Sequence, residues 1–177
     1  SNGAAADSGA VGVQQAQSGH YTVTALGGTT ATAAGAVDEA QAAAGYYTVD
    51  SNDAAKDGGA SDVEPCASGY YSGVGATVCT EVQAGYYAVS TSGGTTATDS
   101  AAVDESICTV GTFSAAGASA CTTAQIGYYT VDSRGNALSS PWEGAVNEVQ
   151  AGEGFFTVDS NGAAADSGAV GVQQAQS

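Results

Sequence analysis

The feature that most constrains this chain is that it repeats itself. Residues 1–18, SNGAAADSGAVGVQQAQS, return letter for letter as residues 160–177, an offset of 159. Self-similarity at a fixed period is the signature of a repeat architecture. A shorter mark recurs inside the long one: Gly, one variable residue, then an aromatic. It stands at Gly19-His20-Tyr21, Gly45-Tyr46-Tyr47, Gly69-Tyr70-Tyr71, Gly85-Tyr86-Tyr87, Gly111-Thr112-Phe113, Gly127-Tyr128-Tyr129 and Gly154-Phe155-Phe156. The spacings are 26, 24, 16, 26, 16 and 27, and 24 more complete the 159-residue period. The period therefore divides into seven modules, at 19–44, 45–68, 69–84, 85–110, 111–126, 127–153 and 154–177. Of these, 69–84 and 111–126 are short modules that carry cysteine, and residues 1–18 read as the tail of a truncated module.

Composition argues against one ordinary core. Val, Leu, Ile and Phe supply only 25 of 177 residues, and so low a share with high net charge usually means disorder. Stacked repeats escape that conclusion, because each unit buries its surface against its neighbours. Every module opens with a β-prone stretch such as Gly45-Tyr46-Tyr47-Thr48-Val49. Alternate side chains of a strand share a face. The second residue after Gly (Tyr21, Tyr47, Tyr71, Tyr87, Phe113, Tyr129, Phe156) is thus assigned to a core face. Val23, Val49, Val89, Val131 and Val158, two residues further on, share it. The looser position before the aromatic, which admits His20 and Thr112, faces a neighbour or solvent. The leading Gly supplies a positive φ or a close backbone approach. A polar turn follows, such as Asp50-Ser51-Asn52-Asp53, and then a second apolar element at Val37, Val63, Val82, Val103, Val146 or Val170. Ala33–Ala44 also admits a helix ended by Gly45, but the other modules lack that pattern. The fold expected is mainly β: an elongated rod of stacked small modules, with short strands and Gly/Ala/Ser/Thr-rich turns, disulfide-stapled in two modules.

The charge is −16, with Lys56 and Arg134 as the only Lys or Arg. Two cations cannot neutralise a run of phosphates, which argues against nucleic acid and against an anionic membrane surface as partners. The acidity instead keeps neighbouring chains apart. No apolar run approaches the ~20 residues of a membrane span, and the opening residues are polar, with no secretory leader legible in them.

The four cysteines form two copies of one pattern, C-x-x-G-[YT]-[YF]-S-x-x-G-A-x-x-C, at Cys66–Cys79 and Cys108–Cys121. Metal sites bring cysteines closer together and add further ligands, and the only histidine is His20; disulfides are the expectation. The pattern resembles ephrin-receptor-like cysteine-rich repeats and, more loosely, tumour-necrosis-factor-receptor modules. Those families are extracellular, small, disulfide-stapled and rod-forming. The resemblance implies pairing of Cys66 with Cys79 and of Cys108 with Cys121. It covers these two segments only: Val82 and Ala124 stand three residues before their Gly, where Cys66 and Cys108 stand before theirs.

Chemistry has little foothold. His20 fills a slot occupied by Tyr in sister modules and reads as a substituted aromatic. Asp50-Ser51-Asn52-Asp53 lacks the alternating ligands and terminal Glu of an EF-hand. Trp142, after Pro141, reads as a gap filler or a lateral anchor. No enzyme, metal or cofactor is expected. The matched loops Gly27–Thr32 and Gly93–Thr98 make Thr29, Thr30, Thr95 and Thr96 candidates for O-linked sugar. The function expected is a structural subunit of an extracellular fibre or filament, with another copy of itself as head-to-tail partner. The join is covalent in the reading favoured, because the identity extends to residues a docking interface would not need. The alternative is a stalk or ectodomain of a surface adhesin or receptor that binds a protein or glycan.

Overall fold

The computed structural model describes residues 13–176. Over that range the chain is a series of seven two-stranded antiparallel hairpins, with no helix among the described residues. The first pairs β1 (His20–Val23) with β2 (Asp38–Gln41), and the second β3 (Tyr46–Val49) with β4 (Asp62–Pro65). The third and fifth are short, joining β5 (Tyr70–Tyr71) to β6 (Thr80–Glu81) and β9 (Thr112–Phe113) to β10 (Thr122–Thr123). The fourth pairs β7 (Tyr86–Val89) with β8 (Asp104–Ile107). The sixth pairs β11 (Tyr128–Val131) with β12 (Asn147–Gln150), and the seventh β13 (Phe155–Val158) with β14 (Gly171–Gln174). Asp38–Gln41 is strand, so the helical reading of Ala33–Ala44 does not hold; Glu39 there is paired with Thr22 across the ladder.

Each hairpin opens on a tight turn. The residue after the head glycine donates its N–H to the carbonyl two residues before that glycine, at 3.0–3.1 Å in all seven, as in Tyr70 to Ala67. The glycine is the third residue of that turn, with φ between 71° and 87°, a left-handed conformation that costs a Cβ-bearing residue about 1–2 kcal/mol. The head carbonyl then closes the hairpin, accepting from the residue three before the next head glycine, for example Cys66 N–H to Gly45 O at 2.8 Å.

A second mark lies ten residues before each following head glycine. It is a corner pair: Gly35-Ala36, Gly59-Ala60, Gly75-Ala76, Ala101-Ala102, Gly117-Ala118, Gly144-Ala145 and Gly168-Ala169. Its first residue again has positive φ, including Ala101 at 50°. Since the ten-residue return is constant, all variation in module length falls in the hairpin tip. The short modules are long ones with the tip removed.

The corners stitch the hairpins together. Thr22, Thr48, Ser72, Ala88, Ser114 and Thr130 each donate N–H to the corner Ala carbonyl of the next hairpin, at 3.0–3.1 Å. The corner's first residue donates to a carbonyl two hairpins back: Gly59 to Ala16, Gly75 to Ala42, Ala101 to Cys66, Gly117 to Val82, Gly144 to Cys108 and Gly168 to Ala124, at 2.8–2.9 Å. A two-stranded hairpin alone is marginal in water; here each of the first five hairpins is bonded to those one and two steps along.

The stitching also encloses the second strand face, the one read as turned towards a neighbour or solvent. Val23, Val49, Val89, Val131 and Val158 are buried, but so are Thr48, Ala88, Thr130 and Thr157 on the opposite face. In the second, fourth and sixth hairpins the next hairpin covers the outer edge of the strand end, so both faces are enclosed there. The buried threonine hydroxyls of Thr48 and Thr157 are satisfied within their own hairpins, as in Thr48 Oγ1 to Lys56 O at 2.5 Å, and that of Thr130 donates to Ala169 O of the next; no buried side-chain polar atom lacks a partner among the described residues. The aromatics are shallower. Tyr21 is buried, Tyr47, Tyr71, Tyr87, Phe113 and Tyr129 are half-buried, and Phe156 is exposed. Nor are the six valines of the second apolar element equivalent. Val37, Val103, Val146 and Val170 follow corners, Val63 lies in β4, and Val82 closes its hairpin.

Candidate functional site

The residues that do recurrent work lie at the joints, where the tail of one hairpin meets the return strand of the next. Two chemically different fasteners occupy this place. One is the disulfide. Cys66 bonds Cys79 and Cys108 bonds Cys121, with Cα atoms 5.8 and 5.7 Å apart. Cys66 and Cys108 are fully buried at the closing position of a long hairpin. Cys79 and Cys121 lie four residues after a corner glycine, just before β6 and β10. The pairing is the one expected, and each bridge ties a short module to the closing residue of the long module before it.

The other fastener is a two-point Gln–Glu clasp. Gln17 N–H donates to Glu39 Oε2 at 2.8 Å while its Nε2 donates to Oε1 at 2.6 Å. Gln83 and Glu105 repeat this at 2.9 and 2.6 Å, and Gln125 and Glu148 at 2.7 and 2.8 Å. The glutamine stands two residues before a head glycine. The glutamate stands four residues after the corner residue, the slot that Cys79 and Cys121 fill in the short hairpins. Clasp and disulfide are therefore alternative staples for one joint. In the second and seventh hairpins that slot holds Val63 and Val172, and Val63 packs against the cluster of Tyr21, Val23 and Ala60.

The tips come in two designs. In the second, sixth and seventh hairpins an aspartate caps the turn. Asp50 Oδ1 accepts from Asn52 and Ala54 N–H, Asp132 from Arg134 and Asn136, and Asp159 from Asn161 and Ala163, at 2.8–3.2 Å. These N–H groups hold the carboxyls below the usual aspartate range, with Asn52, Asn136 and Ala163 the leading donors. In the first and fourth hairpins, Tyr21 and Tyr87 hydroxyls donate to Thr29 and Thr95 carbonyls at 3.2 and 3.0 Å. Asp38 and Asp104 accept from Gly27 and Gly93 N–H. Asp38 is lowered chiefly by Gly27, Asp104 chiefly by Glu105 and then Gly93. Thr29, Thr30, Thr95 and Thr96 are all exposed on these tips.

The Asp50–Asp53 segment is a capped turn, and no group of three or more His, Cys, Asp or Glu side chains stands together among the described residues. His20 is half-buried, its Nδ1 3.1 Å from Ser18 O. Trp142 is half-buried with φ 57° beside the cis Ser140–Pro141 bond. An open groove of ≈ 290 Å³ runs beside the first disulfide, lined by Tyr47, Pro65, Tyr70 and Val78 among others. No helix of the described residues is long and apolar enough to cross a membrane. No known family model and no curated protein matches this sequence.

Proposed function

We propose that this chain is a structural unit of an extracellular fibre or filament built from tandem repeats. The observation that carries this reading is the stitching. The same two backbone bonds recur from Ala16 to Gly168 and join each of the first five hairpins to those one and two steps ahead. Stability in such a series sums over units and their interfaces, so length is limited by the number of repeats. The 18-residue identity at an offset of 159 lets further copies continue the series in register, with another copy of the same sequence as head-to-tail neighbour.

Two disulfides in a small β protein are compatible with an oxidising extracellular setting. A charge of −16 keeps parallel fibres apart. The exposed threonines of the tips are suited to carry O-linked sugar outward from the series. Electron microscopy of the purified natural material is the test. Thin filaments with a regular axial repeat are expected; discrete particles of uniform size would refute the fibre. The second reading, a stalk or ectodomain of an adhesin or receptor, has the Tyr47–Tyr70 groove in its favour as a shallow aromatic contact for a protein or glycan. It predicts a non-repeating domain at the end of the array, where the fibre predicts more of the 159-residue period.

A further inference from the structure

Residues 1–12 of the repeated tail lie outside the described residues, so the two tails offer no comparison. The two disulfide joints do, because their bridges match and their surroundings differ. Beside Cys66–Cys79 runs the open groove of ≈ 290 Å³ walled by Tyr47, Pro65, Tyr70 and Val78. At the corresponding places around Cys108–Cys121 stand Tyr87, Ile107, Thr112 and Ala120. Forming the bridge therefore does not require Tyr70 or Val78, since its twin closes beside threonine and alanine. Both are exposed, at 38% and 62%, as is Val74, where the fifth hairpin has Ala116. Exposed apolar side chains gathered in one hairpin and missing from its twin mark an interaction surface.

The polar groups that side chains bring to this groove are the hydroxyls of Tyr47 and Tyr70. Tyr21 and Tyr87 spend theirs on the carbonyls of their own tips. The second tip is held by Asp50 instead, and the third hairpin has no tip. Apolar walls with two O–H donors suit a polyproline II segment. Such a helix has no internal hydrogen bonds, so its carbonyls accept from the hydroxyls while its rings lie between the tyrosines. A sugar would bring many hydroxyls and find only these two side-chain partners. Charge narrows the ligand further. Glu64 and Glu81 stand directly opposite Tyr47 and Tyr70 in their ladders and share a face with them. Lys56 follows Ala55 at one end of the groove, with Asp53 and Asp57 near it in sequence, and the whole chain carries −16. In this acidic setting a segment flanked by lysine or arginine is drawn in, and one flanked by acids is repelled.

We propose that the groove between the second and third hairpins binds a proline-rich, basic segment of another protein, its rings between Tyr47 and Tyr70 and its cations beside Glu64 and Glu81. The groove is the one that favours the stalk reading, but the proposal does not rest on that reading. A fibre can carry such a ligand as well as a stalk can, so the microscopy that tests the fibre and the binding that tests the groove fail separately.

Isothermal titration calorimetry of the 177-residue protein with a synthetic oligoproline flanked by arginines tests this. One site per chain is expected, with an affinity that falls as salt rises. The same peptide flanked by glutamates is expected not to bind. Tyr70→Thr with Val78→Ala copies the fifth hairpin into the third, so the unfolding midpoint should stay in place while the affinity falls about tenfold or more. Glu64→Gln, which keeps the side-chain shape, should lower the affinity roughly two- to fivefold and lessen its salt dependence. Four results would each overturn the proposal: no binding of the arginine peptide, equal binding of the glutamate peptide, an unchanged affinity in the Tyr70→Thr, Val78→Ala protein, or a Glu64→Gln protein that binds and responds to salt as wild type does. A neutral glucose hexasaccharide that binds in place of the peptide, and is lost in the Tyr70→Thr, Val78→Ala protein, would assign the groove to a glycan and overturn it too.

Discussion

The joint before the third hairpin and the joint before the fourth do the same task with unlike chemistry. At the third, Cys66 and Cys79 form a covalent bridge, with Cys66 fully buried; at the fourth, exposed Gln83 and half-buried Glu105 form two hydrogen bonds. The hairpins they serve differ in one respect. The third has lost its tip and retains two-residue strands, while the fourth has four-residue strands and a tip tied by Tyr87 and Asp104. A short ladder supplies fewer bonds to offset the entropy of ordering its residues. The covalent fastener sits where the ladder is shortest, in both short hairpins. Where the ladder is full length, no bridge is found among the described residues, and in three such hairpins a clasp takes its place.

The largest effect should come from removing a bridge. Cys66→Ala with Cys79→Ala opens a loop of about 15 residues, worth roughly 3 kcal/mol in the chain-entropy model. Ala42 already fills the closing position in the first hairpin, so the loss reports the bridge and not a misfit. Hydrogen exchange should quicken at Tyr70–Val82 first. If the fourth hairpin loosens as much as the third, the bridge is not compensating a short ladder and the comparison breaks.

Two glycine variants separate conformation from crowding. Gly69→Ala meets both a φ of 79° and the Gly117 backbone, whereas Gly127→Ala meets a φ of 80° with open space around it. The second should cost about 1–2 kcal/mol, the left-handed penalty alone. The first should cost about 2–3 kcal/mol, because backbone must also shift. Equal losses in urea unfolding would mean that the two-hairpin contact contributes nothing.

The clasp should be worth least of the fasteners. Gln83→Ala removes a neutral amide donor to a solvent-accessible carboxylate, so the loss should be about 1 kcal/mol or less. Its equivalence to the disulfide has a sharper test. Ala16→Cys with Glu39→Cys places thiols in the slots of Cys66 and Cys79, and a third disulfide should form on air oxidation, read by mass after alkylation. Free thiols under those conditions would show that the two joints differ in geometry and not only in chemistry.

Much of this was legible in the letters, and what was not has physical causes. The head glycines and the valines four residues on were readable because turn and strand impose fixed local spacing. The corner pair was harder to see. Its Gly-Ala is present in the cysteine pattern, yet tips of different length hide its constant distance from the following head glycine, and Ala101 replaces the glycine once. The clasps were invisible because Gln17–Glu39 and Gln125–Glu148 are 22 and 23 residues apart across tips of unequal length. Counting backwards from each head glycine, and not forwards, brings both into line. The burial of Thr48 and Thr130 could not be read from one strand's alternation, since the element that covers them belongs to the following hairpin.

Acid should separate the joints from the tips. The Asp50, Asp132 and Asp159 carboxyls are held below the ordinary range by backbone N–H groups in the folded chain. A carboxyl depressed on folding adds stability that is present above its unfolded value, near 3.8, and is lost as pH falls through the lower folded value. These tips should therefore loosen only below about pH 4. Between pH 7 and that point the opposite trend operates. Protonation of the remaining acids relieves repulsion in a chain of net charge −16, so stability should hold or rise on mild acidification. The disulfides do not titrate, and their joints should hold throughout. Asp132→Asn keeps an oxygen to accept the turn's N–H bonds but removes the titration. It should flatten the acid response at Arg134–Asn136 alone, with Asp50 and Asp159 tips behaving as before in amide exchange measured against pH. If the Asp132 tip of the unaltered protein loosens in step with Cys66–Cys79 below pH 4, then global repulsion governs the acid response and the local caps do not.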